Sequence, residues 1–350
     1  MVLENVPRVR EISPQDLHRK WILPGRPVIV TDLYETAPLQ TEGVTTLASA
    51  HERIGDVEVE IQPNYLAFLE TGRRGERRSM PLRGYLDHVA LHPDTRDLCV
   101  EFPTPDALRT LLPAPAHAKR GDREDVVSAT FVANRGNFNH LHYDDDQRAV
   151  LLYQVFGTKR FSIIPARRLP ALDAFVVFDR AIRERVASVP ARDANGRIYF
   201  ETFPDEATKE SFLSSVGASD CLVHAGETLL MPALYWHYVE YTDTSLSVTY
   251  RLPRNRVNRA LAALFPAPSL VVQIVGAELV DEERFRSEHP ELHAELTTLL
   301  GTLPPSSAAA LADIRDTVFG FLARAFEKVC GQSLESVLVE RELHRRALLR

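Results

Sequence analysis

Phe138-Asn-His-Leu-His-Tyr-Asp144 is the stretch whose reading decides the fold, taken together with Pro232-Ala-Leu-Tyr-Trp-His237 far downstream. The two pieces supply His142, Asp144 and His237, two imidazoles and one carboxylate. Such a set, with coordination positions left open, suits a non-haem Fe(II) centre better than a closed structural zinc site. Residues two apart in a strand point to the same face, so His142-x-Asp144 can grip one ion from a single strand. The third ligand must then come from another strand folded back across the first, and His237 is best placed for it. A His-x-Asp alone is a common accident of polar strands, so its surroundings have to carry the weight.

Those surroundings read as short apolar strands separated by turns: Val126–Ala133, Leu141–Tyr143, Ala149–Phe156, Arg160–Ile164, Thr228–Met231, His237–Tyr241 and Leu246–Tyr250. The pattern predicts a sandwich or barrel. A polar insertion over 166–220 interrupts it, with a helix expected from Asp179 to Ala187. Upstream lies a mixed lead-in: a helix over 13–22 capped by Ser13, a strand Val28–Thr31, a helix Thr45–Ile54 closed by Gly55, a strand Val57–Ile61 and a helix Pro81–His92. No GxGxxG follows a strand and no GxxxxGK[ST] occurs, so a nucleotide-binding fold is not expected. After Arg251 the chain turns helical. Leu311, Ile314, Val318, Phe321, Leu322, Ala325 and Val329 fall on one face of Ala308–Val329, and Leu334–Leu349 is amphipathic with a basic end. Residues 1–252, with a core at about 126–252, thus form one unit and 253–350 a C-terminal helical region.

The 350 residues suffice for a sizeable core, and 45% apolar with 25% charged residues is ordinary for a globular chain. A net charge of −7 and a pI near 6.0 argue against a general nucleic-acid-coating protein while leaving room for a local basic patch. Cys99, Cys221 and Cys330 are scattered in no metal-ligand spacing, as expected of free thiols in a reducing cytoplasm. No signal peptide or membrane span is expected. The basic residues are nearly all arginine, with five lysines (20, 119, 159, 209 and 328), a skew that hints at a GC-rich bacterial genome.

The run Gly136-Asn-Phe-Asn-His-Leu-His-Tyr-Asp-Asp-Asp146, followed by Leu151-Leu-Tyr-Gln-Val-Phe-Gly-Thr-Lys-Arg-Phe-Ser-Ile-Ile-Pro165, resembles the JmjC/cupin-like 2-oxoglutarate oxygenases. Ala225-Gly-Glu-Thr-Leu-Leu-Met-Pro-Ala-Leu-Tyr-Trp-His237 and Ser245-Leu-Ser-Val-Thr-Tyr250 match the second half of that pattern, in the family's order. Within the group the pattern is nearest to the asparaginyl hydroxylase that inhibits the hypoxia-inducible factor and to its bacterial relatives. The resemblance implies a mainly β fold with α: a double-stranded β-helix (jelly-roll/cupin) core, an N-terminal α/β lead-in and C-terminal helices. It implies Fe(II), with O2 and 2-oxoglutarate as co-substrates, the latter decarboxylated to succinate as a C–H bond is hydroxylated. Lys159 stands where the family keeps the lysine that pairs with the distal carboxylate of 2-oxoglutarate. A compact buried ammonium suits that task, although most lysines are solvated.

Three positions depart from the pattern. Asn139 stands where close relatives carry threonine, Thr249 where many carry asparagine, and an upstream tyrosine is replaced, in a loose alignment, by Cys99. Asn139 and Thr249 can still hydrogen-bond to the co-substrate. His140 shares the parity of His142 and could compete as a ligand, but the spacing to Asp144 favours His142. Tyr143, Tyr153 and Trp236 are candidate pocket walls, and Arg148 and Arg251 candidate contacts for an acidic substrate, against the ordinary expectation that barrel aromatics are core. His224 and Glu240 read as structural. The substrate implied is a protein or peptide side chain, with a free amino acid or specialised metabolite as the alternative. The competing classes are a non-catalytic metal-binding cupin acting as sensor or scaffold, and a cupin isomerase or 2-oxoglutarate-independent dioxygenase, which would keep the metal but leave Lys159 without a role. The C-terminal helices either pair two subunits or pack on the barrel of a monomer, and the former is favoured here.

Overall fold

The computed structural model describes residues 4–35, 37–39, 44–64, 76–115, 127–144, 146–168, 176–179, 184–187, 205–266, 269–301, 308–337 and 339. β1 (Glu4–Asn5) and β2 (Arg8–Val9) precede α1 (Pro14–Leu17), where Ser13 Oγ accepts the Asp16 N–H and Pro14 sits in the first turn. A π-helical turn over His18–Ile22 continues it, and the β-branched run Val28–Val30 forms β3. α2 (Leu47–Ile54) is capped reciprocally by Thr46 and Ser49 and ends at Gly55. β4 (Glu58–Gln62), β5 (Arg78–Pro81) and β6 (Leu98–Cys99) make a small sheet onto which α3 (Leu82–Leu91) packs. β7 (Phe102–Pro103) and α4 (Asp106–Leu111) complete the lead-in.

β8 (Val127–Ala133), β9 (Phe138–His142), β10 (Val150–Phe156) and β11 (Lys159–Ile164) open the barrel. A hairpin of β12 (Val176–Asp179) and β13 (Glu184–Ala187) lies beside β9 and occupies the place of the helix expected at 179–187. The Ala-, Arg- and Glu-rich composition suggested a helix. The Val-Val-Phe run just upstream offers a ladder partner to Arg-Val-Ala, and β pairing wins. α5 (Glu206–Ser215), capped by Asp205, precedes β14 (Ser219–Val223), a strand that the sequence reading did not mark. β15 (Thr228–Met231), β16 (Trp236–Tyr241) and β17 (Ser245–Arg251) close the set. The strands form a five-stranded sheet in the order β1-β14-β11-β16-β9 and a seven-stranded sheet in the order β2-β3-β15-β10-β17-β8-β7. These are the two halves of a jelly roll.

Three apolar cores follow from this arrangement. Between the sheets, Ile29, Leu152, Phe161, Ile163, Val223 and Leu229 fill the barrel interior, together with Cys221. Outside the seven-stranded sheet, Leu17, Ile61, Tyr85 and Leu108 of the lead-in pack on Leu151, Tyr153 and Val248, with Cys99 among them. Outside the five-stranded sheet lie α6 (Arg256–Leu264), α7 (Leu270–Glu278), α8 (Glu282–Glu288), α9 (Pro290–Gly301) and α10 (Ala308–Cys330). Val318, Phe321, Leu322 and Ala325 of α10 are fully buried against that third core, Ile314, Val329 and Cys330 partly so. Each full burial of such a side chain is worth about 1.5–3 kcal/mol. The neighbours of α10 are α7 and α9 of the same chain, so this apolar face is covered without a second subunit. The side chain of Leu311 and most of Leu334–Leu349 lie outside the described residues. No helix among the described residues is long and apolar enough to cross a membrane.

Candidate metal centre

His142 ends β9 and His237 is the second residue of β16, and the antiparallel register sets them directly opposite, with ring centroids 4.2 Å apart. Between the pairs Asn139–Val239 and His142–His237, β9 takes three steps where β16 takes two. This bulge turns both Asn139 and His142 into the barrel, a result that simple alternation does not give. The side chain of His140 lies outside the described residues. Asp144 follows just past the strand, its Oδ1 4.0 Å from His142 Nε2. Donor atoms of His142, Asp144 and His237 all lie within 4.8 Å of one another, the one such His/Cys/Asp/Glu group among the described residues. His237 Nδ1 lies 3.2 Å from the Tyr235 carbonyl, which can only accept, so Nδ1 carries the proton and Nε2 the lone pair.

From this group a cavity of about 60 Å3 runs into the barrel between apolar walls that include Phe131, Leu152, Phe161 and Val239. Lys159, 1% exposed, also lines it. Its Nζ donates to Ser247 Oγ at 2.6 Å and lies 4.3 Å from the Tyr241 ring centroid, with no carboxylate in ion-pair range among the described residues. Burial lowers its pKa from 10.5 to about 7. Asn139 and Thr249 share the cavity, Thr249 Oγ1 donating to the Ala129 carbonyl at 3.3 Å. At the rim, Arg251 donates to Asp146 at 2.8 Å and to Glu101 at 3.4 Å. Glu101 lines the cavity and was not marked from sequence, because it lies on the irregular stretch between two short strands. Burial raises its pKa against the pull of Arg251, and Asp144 and Asp146 add to the rise.

The structure does not bring four of the sequence candidates to this cavity. On β10 and β16, Val150, Leu152, His237 and Val239 face inward, so Tyr153 and Trp236 face out by alternation. Tyr153 packs on Tyr34, with ring centroids 4.8 Å apart, and Tyr143 on Trp236 at 5.0 Å, in the two outer cores. Arg148 faces a separate cavity of about 560 Å3 beside Leu23 and Leu252. Cys99 pairs with Ile61 in the lead-in core, so it does not take a pocket position.

A family model described as a cupin-like domain matches residues 14–251. Among curated proteins the chain is similar to the bifunctional peptidase and (3S)-lysyl hydroxylase JMJD7 of Homo sapiens, 26% identical over 269 residues that cover 68% of this chain and 80% of that protein. It is also similar to the lysine-specific demethylase JMJ30 of Arabidopsis thaliana, 25% identical over 252 residues covering 68% of this chain and 52% of that protein, so it spans about half of JMJ30. A match that runs from the lead-in helix to the last barrel strand, over more than half of the chain, places it in the cupin-like domain family.

Proposed function

We propose that the protein is an Fe(II)- and 2-oxoglutarate-dependent hydroxylase. The observation that carries this reading is one narrow cavity lined by two imidazoles, a carboxylate and a buried ammonium that has no carboxylate in ion-pair range among the described residues. A lysine so placed fits an anionic ligand that completes its pairing. Bound iron and 2-oxoglutarate supply the oxidising power: one oxygen atom of O2 enters a substrate C–H bond, the other enters succinate, and CO2 leaves. The chain's own residues prepare that event. His142, Asp144 and His237 would hold the metal, a three-residue set that leaves coordination positions for the co-substrates. Lys159 holds the far carboxylate of 2-oxoglutarate, helped by Ser247, while Asn139 and Thr249 offer hydrogen bonds along its length. Phe161, Leu152 and Val239 keep water out, which strengthens each of these contacts. Arg251 ties Asp146 and Glu101 across the rim and so steadies the segment that carries Asp144.

The substrate we favour is a protein or peptide side chain. Both similar proteins are named for action on lysine. The test is anaerobic titration of 2-oxoglutarate into the Fe(II)-loaded protein, following the weak visible charge-transfer band of the chelate. The band should form and be lost in Asp144→Ala. Iron binding without a band would move the reading to a different cupin chemistry, and no iron binding to a scaffold.

A further inference from the structure

A second concave feature lies outside the barrel. It is a cleft of about 640 Å3 between the Trp21–Pro27 turn, the adjoining ends of β11 and β14, and α8. Arg26, Arg168 and Arg284 line it, and no carboxylate does. Neither Arg26 nor Arg168 has an acidic partner among the described residues. Arg284 gives Nη2 to Glu278 at 2.5 Å, while its buried Nε has no partner. In a chain of net charge −7, three guanidiniums line one space with no carboxylate among its described lining residues, and only Arg284 is ion-paired, a local reversal of sign that favours an anion. The walls are preformed. The Tyr235 hydroxyl donates to the Gly25 carbonyl at 2.5 Å and pins the turn, and Gly25 holds φ +60°, which glycine adopts without strain. Pro24, Pro27 and Pro165 stiffen the frame, and Trp21 adds a flat apolar surface. The cleft shares no lining residue with the metal cavity, so it is a separate site.

We propose that this cleft binds an organic phosphate, with the phosphate oxygens on Arg26, Arg168 and Arg284 and a flat ring against Trp21. The guanidinium fork matches phosphate in a bidentate manner, and the volume is that of a site for one small molecule. No glycine-rich phosphate loop is required, because the arginines supply the donors. Trp21 is one of two tryptophans, and the other, Trp236, is buried in the third core, so intrinsic fluorescence reports on the cleft.

The experiment titrates ADP into the metal-free full-length chain at low salt, following tryptophan fluorescence. Inorganic phosphate and citrate serve as parallel probes, and Arg26→Ser/Arg168→Ser as the variant. Both arginines are exposed, so the variant should keep the thermal midpoint of the parent. ADP should give a saturable change, at least about tenfold tighter than phosphate or citrate, and weakened at least about tenfold in the variant. Absence of saturation with ADP overturns the proposal, as does equal affinity in the double variant. Equal affinity for phosphate or citrate overturns the organic-phosphate assignment.

Discussion

Lys159 concentrates the chemistry of the molecule in one side chain. Burial holds its pKa near 7, so it is protonated and ready for a carboxylate below that pH and must take up a proton to bind one above it. The apparent affinity for 2-oxoglutarate should therefore fall as pH rises from about 7 to 9, by up to roughly tenfold per pH unit. Chelate titrations at pH 6.5 and 8.5 test this, with calorimetry in buffers of different ionisation enthalpy to count the proton. The same burial costs stability. The folded value lies below the 10.5 of an unfolded lysine, so the cost is fully present below about pH 7 and fades as pH climbs towards 10.5. Lys159→Met should thus raise stability at pH 6 by roughly 3–5 kcal/mol while abolishing the chelate and sparing iron binding. Denaturant melts at pH 6 would refute the cost if the variant proved no more stable. His142→Ala and Asp144→Ala should each lose the iron itself, read by metal content after dialysis.

At the scale of the element, two local devices set where these side chains point. Gly157, at φ +71°, turns β10 into β11, and a Cβ there would come within 2.4 Å of the Thr244 carbonyl. Gly157→Ala should cost about 1–3 kcal/mol and weaken 2-oxoglutarate binding, since Lys159 begins the strand that this turn launches. A denaturant midpoint equal to the parent's would show that the turn relaxes freely. On the outer face, buried Lys209 of α5 bonds Glu240 of β16 and lies 4.9 Å from the Tyr238 ring centroid. Glu240→Ala should destabilise by about 2 kcal/mol, measured by thermal or chemical unfolding, because it removes the closest acidic partner of a buried ammonium and leaves Glu206 at 3.9 Å. The grouping of His142, Asp144 and His237 was legible from two short motifs, because ligand chemistry allows few residue types. The β9 bulge was not, since an inserted residue leaves no mark in composition, and it decides that Asn139 joins His142. The wrong side for Tyr153 and Trp236 was avoidable: counting by twos from Leu152 and His237 puts both outside.

Across the whole molecule, the third core belongs jointly to the barrel and to the C-terminal helices. Trp236 Nε1 donates to Gln273 of α7 at 3.2 Å, and Phe321 and Phe326 of α10 share the cluster with Tyr238 and Leu213. A chain ended at Leu252 should therefore lose cooperative thermal unfolding and near-ultraviolet ellipticity; a soluble truncation with a sharp transition would contradict this. A sandwich or barrel was readable from strand spacing and turn signals, its jelly-roll form from the resemblance of the motifs, and the lead-in helices from their caps. What covers the apolar stripe of α10 was not readable, because periodicity marks a buried face without naming the surface that buries it. Val271, Val272, Ile274 and Val275 of α7 supply that surface.

One cysteine sits in each of the three cores: Cys99 under the lead-in, Cys221 inside the barrel and Cys330 beside the helices. Burial pushes the first two thiols to about 12 and the third to about 11, so thiolate is scarce while the layers stay closed. Alkylation of Cys99 and Cys221 at neutral pH then records opening rather than reactivity, and each timestamps its own layer, with half-buried Cys330 as the accessible reference. Equal slow rates at Cys99 and Cys221 would mean that lead-in and barrel open as one body. A faster rate at Cys99 would mean that the lead-in breathes while the barrel remains shut.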